Sequence, residues 1–306
     1  MEANFSTPIL FLIFNRPEAT QLVFDAIKKQ RPKYLYVAAD GPRPEVAGEA
    51  ASCQATRDII KQIDWDCELK TLFRDINLGC GQAVSGALDW FFSQVEAGII
   101  IEDDCLPNET FFEFCAELLD QYKDDRRVMM ISGTNHLLNE AEMFDSYFFS
   151  RVYTVWGWAT WRRAWNLYDI NMTAWPEYKK NKSLKKIFAN KNARYYFKDS
   201  FNRAYYKKAD TWDTQWVFSC LVNNGLTIMP KYNLVTNIGL VGTHTVKGKN
   251  PSVGRASKDF ACEPLAQPAA VKPDLELENK QLENSGITKF SFKSKVIMYL
   301  KSKLSK

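Results

Sequence analysis

Short apolar runs recur through the first hundred residues, and each of the first three is followed by a stretch with helical spacing. The runs are "PILFLIF" (8–14), "YLYVAADGPRP" (34–44, ending in a turn), "CELKTLFR" (67–74) and "GIII" (98–101). All four read as strands, and the continuous apolar run of 8–14 is what a strand buried on both faces shows. Between the runs, 17–30, 55–63 and 77–95 read as helices; Pro17 suits a first helical position, and Leu22, Ala26 and Ile27 follow at helical spacing. This alternation predicts an α/β fold, a mostly parallel mixed sheet flanked by helices on both faces. Further on, 110–125 reads as a helix, 127–135 as a strand and 231–245 as a strand leading into a turn. Ligands of such sheets sit at the carboxyl ends of strands. Asn15-Arg16, Asp40-Gly41 and Glu102-Asp103-Asp104 all fall there.

With 306 residues, 46% hydrophobic and 25% charged, the chain has the composition of a soluble globular protein with a sizeable core. We expect one fused domain, with a first half over 1–135 and a second half over 136–261. A wrapping segment or linker over 262–288 and a basic amphipathic helix over 289–306 complete it. The seven cysteines show neither CxxC nor Cys/His ligand spacing, which excludes a disulfide framework and a zinc site as readings of the pattern. Free thiols fit a reducing cytosol, and the 8–14 run is too short for a signal peptide or a membrane span, so a cytoplasmic protein is expected.

Glu102, Asp103 and Asp104 follow the isoleucine strand directly. Adjacent carboxylates repel and are costly to desolvate unless a cation or donors compensate. Clustered carboxylate oxygens suit Mg²⁺ or Mn²⁺ sharing its shell with substrate phosphates. A solvated turn before a helix start is the equal alternative. In "TWDTQW" (211–216) Asp213 lies between Trp212 and Trp216, and indole walls would limit its hydration and raise its pKa, as a general base requires. The alternative is an N-terminal aspartate on a core-facing helix. "YTVWGWATWRRAW" (153–165) offers flat aromatic faces, with Trp156, Gly157 and Trp158 expected at a sugar site and other tryptophans in the core. His244 in "GTHT" is one of two histidines and can complete a metal shell; His136 reads as structural. "NLGCGQAVSG" (77–86) lacks the Lys-Ser/Thr of a phosphate loop.

In order along the chain, "FNRP", "ADG", "EDD", "WGWATW", "TWDTQW" and "GTHT" resemble the GT-A glycosyltransferases. The nearest patterns are the inverting N-acetylglucosaminyltransferases with a Glu-Asp-Asp motif and bacterial surface-glycan transferases. The likeness runs from about Pro8 to about His244. It implies a GT-A (Rossmann-like) fold and a metal-dependent inverting transfer of a sugar from a nucleotide-diphosphate donor, UDP-sugar favoured, to a glycan or lipid-linked acceptor. It implies Asp104 as the Mn²⁺ or Mg²⁺ ligand and Asp213 as the general base. Glu102 and Asp103 would contact ribose, sugar or the metal's water shell, Arg16 and Asp40 would hold the nucleotide base beside Asn15, and His244 would lie near the diphosphate.

Two other classes stay open. A sugar-nucleotide nucleotidyltransferase usually carries a Gly-rich loop after its first strand, where this chain has "NRPEAT"; a non-catalytic carbohydrate or nucleic-acid binder has no need of Glu102-Asp103-Asp104 together with Asp213. Residues 179–208 hold eleven Lys/Arg against Asp199, interleaved with aromatics. A solvated helical face and a flank for an anionic acceptor both fit this stretch, and no nucleic-acid partner is expected. The tail 289–306 carries six lysines and no acid. It fits a peripheral helix on an anionic inner membrane face, and equally a helix packed on the body or a frayed end.

Overall fold

The computed structural model describes residues 5–137, 143–239, 264–289 and Val296. The first half alternates as the apolar runs require: β1 (Ile9–Ile13), α1 (Pro17–Gln30), β2 (Tyr34–Ala39), α2 (Glu49–Asp58), β3 (Glu68–Phe73), α3 (Gly79–Phe92) and β4 (Ala97–Glu102). Then come β5 (Cys105–Pro107), α4 (Glu109–Gln121), β6 (Val128–Ser132), β7 (Tyr147–Ser150), β8 (Trp158–Trp161), α5 (Arg162–Trp165), α6 (Trp175–Lys180), α7 (Leu184–Ile187) and α8 (Lys191–Tyr205). The last elements are α9 (Asp213–Val222), β9 (Leu226–Pro230), β10 (Val235–Asn237) and α10 (Leu275–Asn284).

Eight strands form one sheet in the order β3-β2-β1-β4-β8-β6-β9-β7, and β5 pairs with β10 in a separate ribbon. The sheet is mixed and mostly parallel: only β7 and β8 run against the rest. This is the α/β class expected from the sequence. β1 lies between β2 and β4 and is buried throughout, so both of its faces must be apolar. Its side chains alternate between two cores. Ile9, Phe11 and Ile13 join α1 and α4 on one face, whereas Leu10 and Leu12 join α3 and a tryptophan cluster on the other. Edge strand β3 is largely open to solvent, which explains its Glu68 and Lys70.

In β4, Ile99 and Ile101 belong to the α1 face and Ile100 to the α3 face. Continuing that alternation sends Glu102 toward α3 and Asp103 toward α1. The strand therefore sorts its terminal carboxylates onto opposite sides of the sheet. Helix α4 starts at Asn108, whose side chain accepts from the Phe111 amide, so the acidic triplet is not that helix's cap.

Three stretches of the second half take definite form. The "WATW" of 158–161 is strand β8, with Trp158 packed on one face and Ala159 and Trp161 on the other. Within 262–288 lies α10, capped by Asp274, which accepts from the Glu276 and Leu277 amides. The basic stretch 179–208 contains α8, whose Ala193, Phe197, Phe201 and Ala204 close a third core with α6 and α9. The expected tail helix lies outside the described residues from position 290 onward, apart from Val296. Among the described residues no helix is long and apolar enough to cross a membrane.

Helix α10 is held by a buried ion pair. Glu278, 2% exposed, accepts from the Arg151 backbone N–H (2.7 Å) and pairs with its guanidinium (2.5 Å). Removing one partner of such a pair leaves an uncompensated charge. Glu278→Ala should lower unfolding stability by about 3 kcal/mol in urea titrations. A loss below about 1 kcal/mol would show that the pair does not hold α10 on the sheet.

Candidate active site

The candidate site forms where β1, β2 and β4 end and the chain enters α1, α3 and α9. At the end of β1, Arg16 precedes α1 and turns its guanidinium onto the acidic triplet. Its Nη1 donates to Asp104 Oδ2 at 2.7 Å, and its Nη2 pairs with Asp103 Oδ1. The second oxygen of Asp103 accepts from the Phe14 amide at 3.2 Å. Asp103 is only 2% exposed, and burial pushes its carboxyl up to about 6 although Arg16 opposes the shift.

Glu102 points the other way. Burial, followed by the charges of Asp104, Asp103 and Asp213, pushes its carboxyl up to about 8, with Arg16 offsetting only part. Asp213, over a hundred positions away in sequence, is thus near enough for its charge to act on Glu102. Asp104 is bounded from behind by the β5–β10 ribbon. Its carbonyl accepts from the Ile238 amide at 2.8 Å, and a Cβ on Gly239 would fall 2.3 Å from its Oδ2. His244 lies outside the described residues.

Asp213 is the first residue of α9. Its described hydrogen bonds all converge on Oδ1, from Thr211 Oγ1 and from the Thr214 amide at 2.7 Å. Trp212 and Trp216 do not stand in the cleft as walls. Both are buried in a cluster with Trp158 and Trp165, Trp212 stacking on Trp158 with ring centres 5.6 Å apart. They anchor the start of α9 from below. On the open side, Tyr168 stacks on Trp165 and Tyr196 projects from α8, and both lie within the field of Asp213.

Trp158 is therefore corrected from a sugar platform to a core residue, fully buried under the sheet. Gly157 is fixed by packing: its φ is +60°, its carbonyl accepts from Gly133 N at 2.7 Å, and a Cβ would meet Val235 at 2.7 Å. Trp156 is partly exposed beside His136, so of the three it alone keeps a face toward the surface. Asp40 is corrected as well. Its carboxylate accepts from the amides of Gly41, Leu78 and Gly79, so it closes a turn and a helix end instead of presenting a free acceptor to a base. Asn15 donates to buried Glu49 at 2.8 Å. Arg43, with help from Asn15, holds the Glu49 carboxyl down at about 2.

One site residue escaped the sequence reading. Asp210 accepts from the Cys80 and Gly81 amides, each at 2.8 Å, at the start of α3. The only trace was the "GCG" of 79–81: a Cβ on Gly79 or Gly81 would lie 2.5 or 2.8 Å from Asp210 oxygens. The glycine-rich turn receives a carboxylate of the protein itself.

Among the described residues no group of three His, Cys, Asp or Glu side chains is arranged to hold a metal ion. A hard cation that draws most of its shell from water and a diphosphate needs only one or two carboxylates. Asp104 fits that lesser demand, because among the described residues its Oδ1 accepts only from the Cys105 thiol, at 3.5 Å.

No protein-family model matches the chain, and no curated protein matches it. Among solved structures, mouse xyloside xylosyltransferase 1 matches 71% of the chain and 81% of its own length, at 9% identity and a TM-score of 0.36. A cytidylyltransferase from Leptospira borgpetersenii matches 53% of the chain and 63% of its own length, at 12% identity and a TM-score of 0.33. A 4-diphosphocytidyl-2C-methyl-D-erythritol synthase from Anaerococcus prevotii matches 53% and 73%, at 10% identity and a TM-score of 0.32. The chain thus spans less than two thirds of the cytidylyltransferase it resembles. Likenesses at these scores carry no argument about function.

Glu102 and Asp103 retain their protons when folded at pH values where an unfolded chain has released them. Stability in divalent-free buffer should therefore fall as pH rises from about 5 to about 8. Glu102→Gln should flatten most of that fall in urea titrations across the interval. An equal pH slope in wild type and variant would contradict the buried-carboxyl assignment.

Proposed function

We propose that the chain is a GT-A-type, metal-assisted inverting glycosyltransferase acting on a nucleotide-diphosphate sugar, with a glycan or lipid-linked hydroxyl as acceptor. The observation that supports this reading is that Glu102, at the end of β4, feels the charges of both Asp104 and Asp213, the latter at the start of α9. A strand-end carboxylate pair suits a cation beside a diphosphate, and a separate carboxylate across the cleft suits proton abstraction.

The chemistry needs little from each group. A divalent cation held by Asp104 would neutralise the charge that develops on the departing diphosphate. Asp213 keeps Oδ1 fastened by Thr211 and Thr214, which orients Oδ2 for the proton of an acceptor hydroxyl. As that proton moves to Oδ2, the acceptor oxygen bonds to the anomeric carbon. The bond from that carbon to the diphosphate oxygen breaks, and its electron pair leaves with the nucleoside diphosphate. Direct displacement at one carbon inverts its configuration. Arg16 would hold Asp103 and Asp104 in register and offer its remaining donors to donor oxygens. Tyr168, Tyr196 and the half-exposed Trp156 would border the sugar and acceptor.

Nucleoside diphosphate release, measured across UDP- and GDP-sugars with Mn²⁺, should identify a turning-over donor. Asp213→Asn should then keep donor affinity and lower transfer by roughly 10² to 10⁴. NMR of the product should show inverted anomeric configuration. A retained configuration, or wild-type turnover in the Asp213→Asn variant, would refute the base assignment.

A further inference from the structure

A helix start leaves four backbone N–H groups without intrahelical partners. In α3 these belong to Leu78, Gly79, Cys80 and Gly81, and two aspartates share them. Asp40, from the end of β2, takes Leu78 and Gly79. Asp210, from the turn before α9, takes Cys80 and Gly81. One capping side chain is enough for an ordinary helix start. The second aspartate ties a distant part of the chain to this helix.

What it ties down is the segment that carries Asp213. Only Thr211 and Trp212 separate the two aspartates. Trp212 is buried in the tryptophan cluster, so the segment is pinned on its inner side by packing and on its outer side by Asp210. The approach is close enough to require glycine. A Cβ on Gly81 would lie 2.8 Å from Asp210 Oδ1 and 3.0 Å from the Thr211 carbonyl. Burial first, and then the charges of Glu102, Asp213, Asp210 and Asp40, push up the Cys80 thiol between the two glycines, so the fastening lies near these carboxylates.

We propose that Asp210 is a positioning residue, which fastens the turn before α9 to the start of α3 and so sets the Asp213 carboxylate across the cleft from Glu102. This rests on the reading of Asp213 as the base. Asp210 touches no reacting atom. Its hydrogen bonds set where the base stands when the acceptor hydroxyl arrives, and small misplacements of a catalytic group are costly.

The test uses the full chain with Asp210→Ala, Gly81→Ala, Asp213→Asn and the double variant Asp210→Ala/Asp213→Asn. Asp210→Ala should lower kcat for transfer by about 10 to 10²-fold. Calorimetric affinity for UDP with Mn²⁺ should stay within about two-fold of wild type, since the hydrogen bonds of Asp210 run to the Cys80 and Gly81 amides and not to Arg16 or Asp104. Gly81→Ala should lower kcat in the same direction, even though alanine favours a helix interior over glycine. The double variant should be no slower than Asp213→Asn alone, because a residue acting through another loses its effect once that other is gone. A loss that multiplies fully onto Asp213→Asn, or an unchanged kcat in Asp210→Ala, would overturn the positioning role while leaving the base assignment intact. Wild-type turnover in Asp213→Asn would overturn both. Amide hydrogen exchange reads the fastening without turnover. Asp210→Ala should speed exchange at Cys80, Gly81 and 211–214 while the interior of α3 stays protected, and unchanged exchange at those amides would also overturn it.

Discussion

The crowding of carboxylates at the carboxyl edge of the sheet is the constraint on which the rest of the site depends. Asp40, Glu102, Asp103, Asp104, Asp210 and Asp213 meet there, and Arg16 is the cation that pairs with them among the described residues. Like charges in a partly dry cleft cannot all remain ionised without compensation. The protein compensates some of them. Arg16 neutralises Asp103 and engages one oxygen of Asp104, and the amides of α3 receive Asp40 and Asp210. What remains is Glu102, the second oxygen of Asp104 and the second oxygen of Asp213. Among the described residues those are the groups with chemistry still to offer.

The scaffold explains why this arrangement can persist. β1 and β4 are adjacent, parallel and buried on both faces, so their ends are fixed by packing before any polar contact forms. Period-two alternation along β4 then separates Glu102 from Asp103, one toward α3 and one toward Arg16. On the far wall, Trp158, Trp212, Trp216 and Trp165 form a continuous aromatic support beneath the start of α9. The tryptophans contribute through burial and ring packing, not by contact with a ligand. Their density in the sequence reflects the support that a precisely placed helix start requires.

Much of the first half was legible because its signals are local. Helix α1 begins at the proline that marked it, and β1 falls within its apolar run, since a strand buried on both faces admits little else. β8 was hidden because Trp158 in "WATW" read as a surface for sugar, although alternation with Ala159 and Thr160 makes it a strand between β4 and β6. Helix α10 was hidden among prolines and charges, its inward face carrying Glu278 and Gln281 in place of an apolar stripe. In the site, Glu102, Asp104, Arg16 and Asp213 were identifiable because motif order preserves them. Asp40 and Asp210 were misjudged or missed for a shared reason. Their partners are backbone amides of a helix start far away in sequence, and no side-chain pattern records such a contact.

If the uncompensated carboxylates await a cation and a diphosphate together, binding of the two must be coupled through Asp104. The most direct measurement is Mn²⁺ affinity by calorimetry or electron paramagnetic resonance, with and without UDP, in wild type and in Asp104→Ala. The account requires Mn²⁺ to bind more tightly with UDP present, and Asp104→Ala to weaken that affinity by roughly 10-fold or more. Mn²⁺ binding that ignores UDP, or that is equal in the two proteins, would contradict it.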